Sequence, residues 1–348
     1  MRKVVLSGTP YEMGRQHGES FADLVAAAIE MVVPEGRFDA DHSTRVLAQV
    51  ERNMEKVFPE ALEELHGIAD GANVSFTDLL AYNSCQELSR MQQACTNFVL
   101  VTPEHGVVHY KSNDVSLEAL KFHVYLEGHP ESGNDFIGVT WAGTVWMNAG
   151  INESGLTYGG GSLQNTDSDW DRGLPANVVL RYFLQYPDDV DGALALVERT
   201  PIMCHGHNMV FTDPGGNGAV VERTPTAMGV RRLDDHAIWA SNHCLVDNVI
   251  PMLRTDNESF MANSRGRYDL LEKLTAEQPH TLDQVIAIAR AHADPTSMCQ
   301  HGPVMHSVIG YVMIPAERRM LIARGYPCQN EFVEYTFAAA TASASSGA

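Results

Sequence analysis

Two β-sheets packed face to face with helices outside, an α+β arrangement, is the fold this sequence predicts. Strand-like runs come in clusters, and pairs of helical segments separate the clusters. No linker-like stretch or fixed-period repeat divides the 348 residues, and an apolar content of 44% supplies a sizeable core.

The elements follow in order. Val4 to Leu6 reads as a short strand. Thr9-Pro10-Tyr11-Glu12 then starts a helix: Thr9 caps, Pro10 suits the first helical position, and Glu12 completes a capping box. Gly14 and Gly18 lie four apart on one face of that helix and predict close packing against another backbone. Further helices are expected at 43–58, 59–68 and 76–88, so the first 90 or so residues are largely helical. From Cys95 the pattern changes to strands at 96–101, 106–112, 136–141 and 145–149. Asn152-Glu153-Ser154-Gly155 makes a turn, and Gly159-Gly160-Gly161-Ser162 reads as a flexible loop. Helices at 175–186 and 190–199, strands at 207–212, 218–223 and 237–241, and helices at 264–277 and 281–293 come next. A hairpin pairs 308–314 with 320–324, and 332–337 is a last strand. Residues 338–348 are an Ala/Ser tail of the kind that stays disordered.

The bulk numbers exclude several functions. A net charge of −20 argues against nucleic acid or an anionic membrane as partner. No run of 18 apolar residues predicts a membrane span, and the start Met1-Arg2-Lys3 lacks the apolar stretch of a secretory signal. The six cysteines are widely scattered, which suits reduced thiols and a cytoplasmic protein.

Ala94-Cys95-Thr96-Asn97 carries the strongest chemical signal. A small residue precedes the thiol, an apolar strand follows it, Asp114 returns at the end of the next strand, and Asn242 ends a third. A self-cleaving N-terminal nucleophile has these needs. Attack of the Cys95 thiol on the Ala94 carbonyl forms a thioester that water hydrolyses, leaving residues 1–94 and 95–348 associated. Cys95 then carries a thiol of pKa ~8.5 beside an α-amine of ~8 that can take its proton. Asn242 is the candidate oxyanion donor, with a backbone N–H of the Gly159–Ser162 loop, which contains the pocket candidates Gly161 and Ser162, as the second. Asp114 would hold the α-amine. Lys111 either favours the thiolate or is a solvated surface lysine. Tyr158, His243 and His301 are pocket candidates, and Trp141 and Trp170 are pocket or core aromatics.

Three other readings stand beside this one. Cys95 is a buried structural thiol in an acidic small-ligand binding protein. Or it is a papain-like nucleophile with His243 or His301 as base, although papain-type cysteines open a helix rather than a strand. Or the 15 histidines hold a metal of a metal-dependent hydrolase. Cys204-His205-Gly206-His207 is the densest group and His301/His306 another, but neither has a recognised zinc spacing, so neither a metal nor a cofactor is expected.

Taken together, Gly8-Thr-Pro-Tyr-Glu-Met-Gly-Arg-Gln-His-Gly18, Gly67-Ile-Ala-Asp-Gly-Ala72, Ala94-Cys95-Thr96, Asp114, Asn152-Glu-Ser-Gly-Leu156, Ser241-Asn-His-Cys-Leu245 and Gly325-Tyr-Pro-Cys328 resemble the acyl-coenzyme A:isopenicillin N acyltransferase family. That family lies within the N-terminal nucleophile hydrolase superfamily. The resemblance implies a four-layer αββα sandwich over residues 1–337, autocatalytic cleavage between Ala94 and Cys95, and a helical 1–94 segment retained by 95–337. It also implies acyl transfer or hydrolysis of a small N-acyl compound without cofactor. Cys95 matches the nucleophile, Asp114 the acid and Asn242 the oxyanion asparagine. Arg267 matches a family position and is read as structural. The chain departs in having Ala94 for glycine, Lys111-Ser112-Asn113 for Gln-Asn-aromatic, and Gln300 and His301 where fungal members have a functional arginine. The expected partners are the N-acyl substrate and the protein's own cleaved segment, with homo-oligomerisation left open.

Overall fold

The computed structural model describes residues 1–34, 36–89, 93–302 and 305–338. The disordered tail expected at 338–348 lies, apart from Ala338, outside the described residues. The N-terminal part runs β1 (Lys3–Gly8), α1 (Pro10–Val32), α2 (Ala40–Val57), α3 (Pro59–Ala72), α4 (Phe76–Asn83) and α5 (Cys85–Ser89). Strands β2 (Ala94–Thr102), β3 (Gly106–Val115), β4 (His123–Pro130), β5 (Phe136–Trp141), β6 (Ala149–Asn152) and β7 (Thr157–Leu163) follow. Next come α6 (Ala176–Val179), α7 (Tyr182–Gln185) and α8 (Val190–Arg199), then β8 (Gly206–Thr212), β9 (Gly218–Arg223), β10 (Met228–Arg232) and β11 (Ala237–Ala240). The chain closes with α9 (Glu258–Leu274), α10 (Leu282–Arg290), β12 (His306–Ile314), β13 (Arg319–Arg324) and β14 (Val333–Thr336).

Helix α1 begins as its sequence dictates. The Thr9 hydroxyl accepts from Glu12 N at 3.2 Å and Glu12 Oε2 accepts from Thr9 N at 2.9 Å, closing the capping box. Gly14 and Gly18 face α3. A Cβ at Gly14 would come 2.1 Å from the Glu64 carbonyl oxygen, and one at Gly18 2.3 Å from that of Ile68. Gly67 and Gly71 of α3 return the contact against Tyr11 and Arg15, so the two helices meet backbone to backbone. Glu64, on the same helix, forms a buried two-pronged ion pair with Arg181 beyond α6, with Arg181 Nη1 2.7 Å from Oε1. The N-terminal helices are thereby pinned to the later part of the chain.

Among the described residues the strands form an eight-stranded sheet, β1-β4-β5-β6-β7-β8-β9-β10, and a six-stranded sheet, β11-β2-β3-β12-β13-β14. Alternation along each strand creates the layers. Val99 and Val107 meet Val210 and Val220 between the sheets. Phe98, Leu100, Val108 and Tyr110 point the other way, onto Leu271 of α9 and Val285 and Ile288 of α10. The outer face of the larger sheet packs on the N-terminal helices and on α6–α8 through Leu126, Phe136, Phe183 and Leu194. The result is the four-layer αββα sandwich of an α+β protein.

Several expectations shift. The helix expected at 76–88 breaks into α4 and α5, and that at 175–186 into α6 and α7. The strand expected at 145–149 lies at β6, while β4 and β10 were not anticipated. The glycine stretch 159–162 is not a loop but part of β7, laddered to β6 and β8. Gly159 serves close sheet approach: a Cβ there would lie 2.4 Å from Asn97 Oδ1 of the facing sheet.

Candidate active site

Cys95 is the second residue of β2, and its side chain follows the odd-numbered parity of Asn97 and Val99 into the space between the sheets. Across the antiparallel ladder Cys95 pairs with Asn113 and Asn97 with Lys111, so Lys111 and Asn113 share that inner face. From the opposite sheet Gly161 of β7 faces the thiol; a Cβ there would have Cys95 Cβ as its nearest neighbour, at 3.5 Å. Glycine here leaves open space above the sulfur. The resulting cleft encloses about 30 Å³ and is lined by Gln93, Cys95, Lys111, Asn113, Tyr158 and His207 among others. Gly161 and Ser162 also line it. Among its buried polar atoms, Asn113 Oδ1, Trp146 Nε1 and Tyr158 Oη have no hydrogen-bond partner among the described residues.

Asn242 follows β11 and reaches under the nucleophile. Its Oδ1 accepts from Cys95 N at 3.1 Å and from Arg267 Nη2 at 2.7 Å, while its Nδ2 donates to the Ser162 carbonyl at 2.8 Å. The Ser264 hydroxyl fixes the Asn242 backbone, accepting its N–H at 2.8 Å. Arg267, wholly buried on α9, also donates to the Cys95 carbonyl and to Thr96 Oγ1 at 2.8 Å. Sequence reading assigned this arginine a structural part; it is the hub joining Cys95, Thr96 and Asn242. A buried arginine flanked by polar residues on a helix gives no periodicity signal, and only tertiary contact reveals it.

Asp114 falls on the opposite parity of β3, behind the strand. Its carboxylate accepts from Ser112 Oγ at 3.2 Å and Ser307 Oγ at 2.5 Å, and lies 4.0 Å from Arg267 Nη1. The Cys95 nitrogen, which Asp114 was expected to hold, is instead bonded to Asn242.

Burial sets the electrostatics. It raises the Cys95 thiol, an effect opposed by the charge of Lys111. It lowers Lys111, opposed by Cys95 and Asp114, and raises Asp114, opposed by Arg267. Lys111 is therefore no solvated surface lysine: it is buried.

Two expected pocket residues do not line this cleft. His243 turns away to Ser264 Oγ, 2.9 Å from its Nδ1, and to the Tyr268 ring, because the residue after Asn242 points to the other side of the extended chain. Burial and nearby arginines push it down to about 4. His301 stacks on Tyr326 and contacts Cys299 and Cys328 instead. Trp141 is core, and Trp170 is partly exposed elsewhere.

Two facing sheets between helical layers, with a cysteine entering the space between them at the start of a central strand, define the N-terminal nucleophile hydrolase class of fold. The chain belongs to the acyl-coenzyme A:6-aminopenicillanic acid acyl-transferase family, whose model matches residues 101–308, more than half the sequence. The match includes Asp114, Asn242 and Arg267 and begins beyond Cys95. An uncharacterized protein of Archaeoglobus fulgidus is 26% identical over 80% of this chain and 55% of its own length, so the chain spans little over half of that relative. The acyl-coenzyme A:6-aminopenicillanic-acid-acyltransferase 40 kDa form of Emericella nidulans is 23% identical, covering 71% of each chain. Penicillin V acylase from Agrobacterium tumefaciens superposes with a TM-score of 0.45 and 15% identity over 66% of this chain and 83% of that one. Among the described residues, no helix is long and apolar enough to cross a membrane.

Proposed function

We propose that this protein cuts its own chain between Ala94 and Cys95 and then acts as an N-terminal cysteine amidohydrolase or acyltransferase on small N-acyl amides. The observation that carries this is the seat of Cys95: its nitrogen is held by Asn242 while its thiol faces a cleft shared with Lys111. Membership of an acyltransferase family supports the reaction class.

In the uncut chain the Cys95 nitrogen is an amide and cannot serve as base. Neutral Lys111 takes the thiol proton, the thiolate attacks the Ala94 carbonyl carbon, and the C–N bond breaks as the Cys95 nitrogen is protonated. Water then hydrolyses the thioester, leaving an Ala94 carboxylate and a free Cys95 thiol. Asn242 Nδ2 has two N–H groups; one goes to Ser162, and the other is the oxyanion donor. Release of the new terminus draws Gln93 from the cleft and makes room for an acyl group, which 30 Å³ does not provide. In the mature enzyme the α-amine of Cys95 becomes the base. Asp114 acts from behind the strand by fixing β3 and compensating Arg267. Hydrolysis is favoured over transfer, because nothing among the described residues of the cleft resembles a coenzyme phosphate site.

Intact mass and N-terminal sequencing of purified protein test the first step: a new terminus at Cys95 is expected, absent in Cys95→Ala. A panel of N-acyl amides, followed by amine release with and without added acceptor amine, tests the second. An uncut chain that still turns over these amides would overturn the proposal.

A further inference from the structure

Far from Asn242 along the chain, four side chains that the cleavage chemistry does not use converge. His292 follows α10, Cys299 and His301 sit in the segment before β12, and Cys328 lies in the turn after β13. One ligand atom from each lies within 4.8 Å of the other three. His301 Nε2 is 3.5 Å from Cys299 Sγ and 3.2 Å from Cys328 Sγ. A tetrahedral zinc ion with Zn–S of about 2.3 Å and Zn–N of about 2.0–2.1 Å needs neighbouring ligands roughly 3.3–3.8 Å apart. The separations around His301 already fall close to that range, and the widest need to close by about an ångström. Cys299 is buried, Cys328 half-buried, and both histidines are exposed.

We propose that His292, Cys299, His301 and Cys328 bind one zinc ion as a closed structural site. The donor set is two thiols and two imidazoles, the Cys₂His₂ combination that selects Zn²⁺ over hard oxygen-seeking cations. Four protein ligands leave no open position, so the ion does no chemistry on substrate. The supporting shell is also in place. The Tyr326 ring stacks on His301 with centroids 3.9 Å apart, and its hydroxyl lies 2.6 Å from His306 Nδ1, which fixes the plane of the ligand ring. Arg290 donates to the Pro327 carbonyl at 2.9 Å and the Asn330 carbonyl at 3.1 Å, holding the turn that presents Cys328. Cys299 N donates to the Ala291 carbonyl at 3.2 Å, which brings Cys299 beside His292.

The site has a structural consequence. Gln300 lies between two of the ligands. Its N–H donates to Ser307 Oγ at 2.8 Å, and its Oε1 accepts from Asn263 at 3.2 Å. Ser307 in turn donates to Asp114, and Asn263 Oδ1 accepts from Arg267 at 3.0 Å. The ion thus staples the segment that backs Asp114 and Arg267.

The test is metal content of the full-length protein, carried in a Cys95→Ala background so that processing and turnover play no part. Protein purified under reducing conditions and dialysed against metal-free buffer should retain one zinc per chain by plasma mass spectrometry. Cobalt replacement should give the intense visible bands of a tetrahedral ion and a thiolate charge-transfer band. Cys328→Ser should lose the zinc. His292→Ala, a change at an exposed position, should keep the fold by circular dichroism while weakening zinc at least tenfold in a chelator competition. Wild-type ligands with no more zinc than Cys328→Ser, or His292→Ala with unchanged affinity, overturns the site. So does a Cys299–Cys328 disulfide found by peptide mapping of the protein as isolated.

Discussion

Asn242 Oδ1 accepts the backbone N–H of Cys95 at 3.1 Å across 147 residues of sequence, and the same oxygen accepts from Arg267 at 2.7 Å. One amide therefore holds the Cys95 nitrogen and, in the proposed reaction, keeps a spare N–H for the charge that would develop on the carbonyl. Replacing it by alanine removes both. Asn242→Ala is expected to slow amine release by about 10²–10³-fold, the usual cost of one oxyanion donor, about 2.7–4 kcal/mol. Asn242→Asp keeps the acceptor beside Arg267 but loses the donor and sets a carboxylate oxygen against the Ser162 carbonyl, so it should be comparably slow. Full turnover in either variant removes Asn242 from the oxyanion site.

Lys111 and Cys95 are moved in opposite directions by the same burial, the amine down and the thiol up. Self-cleavage in freshly translated precursor should accelerate as pH rises and Lys111 sheds its proton. Lys111→Met should slow cleavage at neutral pH by about 10²–10⁴-fold, the worth of a general base, and move the remaining rate to higher pH. A gel time course at several pH values reads both. A pH profile identical to that of the parent would assign the base elsewhere.

Gly161 and Gly159 differ in what a methyl group would meet. At Gly161 the nearest atom is Cys95 Cβ at an ordinary 3.5 Å; at Gly159 it is Asn97 Oδ1 at 2.4 Å with His109 Nε2 at 2.9 Å. Gly161→Ala should fold with an unchanged melting temperature and lose at least tenfold in turnover, because the methyl group occupies the space above the thiol. Gly159→Ala should instead destabilise the protein by about 1–3 kcal/mol in urea titration, by forcing the sheets apart.

Stability should fall on both sides of a middle pH. Burial holds His17, His109 and His123 down to about 3 in the folded chain. Unfolded histidines take up protons below about 6.5 while these three do not, so stability drops as pH falls from there toward 3. Glu87 runs the other way: burial raises it to about 8. It keeps its proton while an unfolded glutamate loses one above about 4.3, so its contribution is present in acid and disappears as pH rises to 8. Melting temperatures from pH 4 to 9 should show both slopes, and Glu87→Gln should flatten the alkaline one.

Much of this architecture was legible in the sequence, and the failures have physical causes. Thr9-Pro10-Tyr11-Glu12 specified its helix start because capping is local chemistry. Cys95, with one strand behind it and Asn242 at the end of another, was legible because strand ends and thiol chemistry are both short-range signals. Strand β4 was missed because Gly128 and Pro130 break its apolar run, and β7 because three consecutive glycines imitate a loop, although the facing sheet is what demands glycine at 159. His243 was misplaced by one step of strand parity. Arg267 and the cluster of His292, Cys299, His301 and Cys328 arise from segments joined only by the fold, and no spacing rule applied to neighbours in sequence finds them.

Arg181 pairs in the core with Glu64, two bonds between an N-terminal helix and the region after α6. Arg181→Met strands a buried carboxylate and should cost about 3–5 kcal/mol, whereas Arg181→Met with Glu64→Leu should recover most of it. Differential scanning calorimetry of the two variants measures the gap.

The strand β1 lies parallel to β4 at the margin of the larger sheet, and α1 meets α3 through bare glycine backbone. All three N-terminal elements belong to the piece that a cut before Cys95 would detach covalently. Once severed, that piece and its complement would have to find each other by diffusion after any excursion to the denatured ensemble. Recovery would then obey mass action, slower and less complete as the sample is diluted. An unsevered Cys95→Ala chain would refold at a rate indifferent to dilution. Such a scission would work as a ratchet: the molecule would assemble once as a single thread, and its lifetime thereafter would be set by how rarely the halves part.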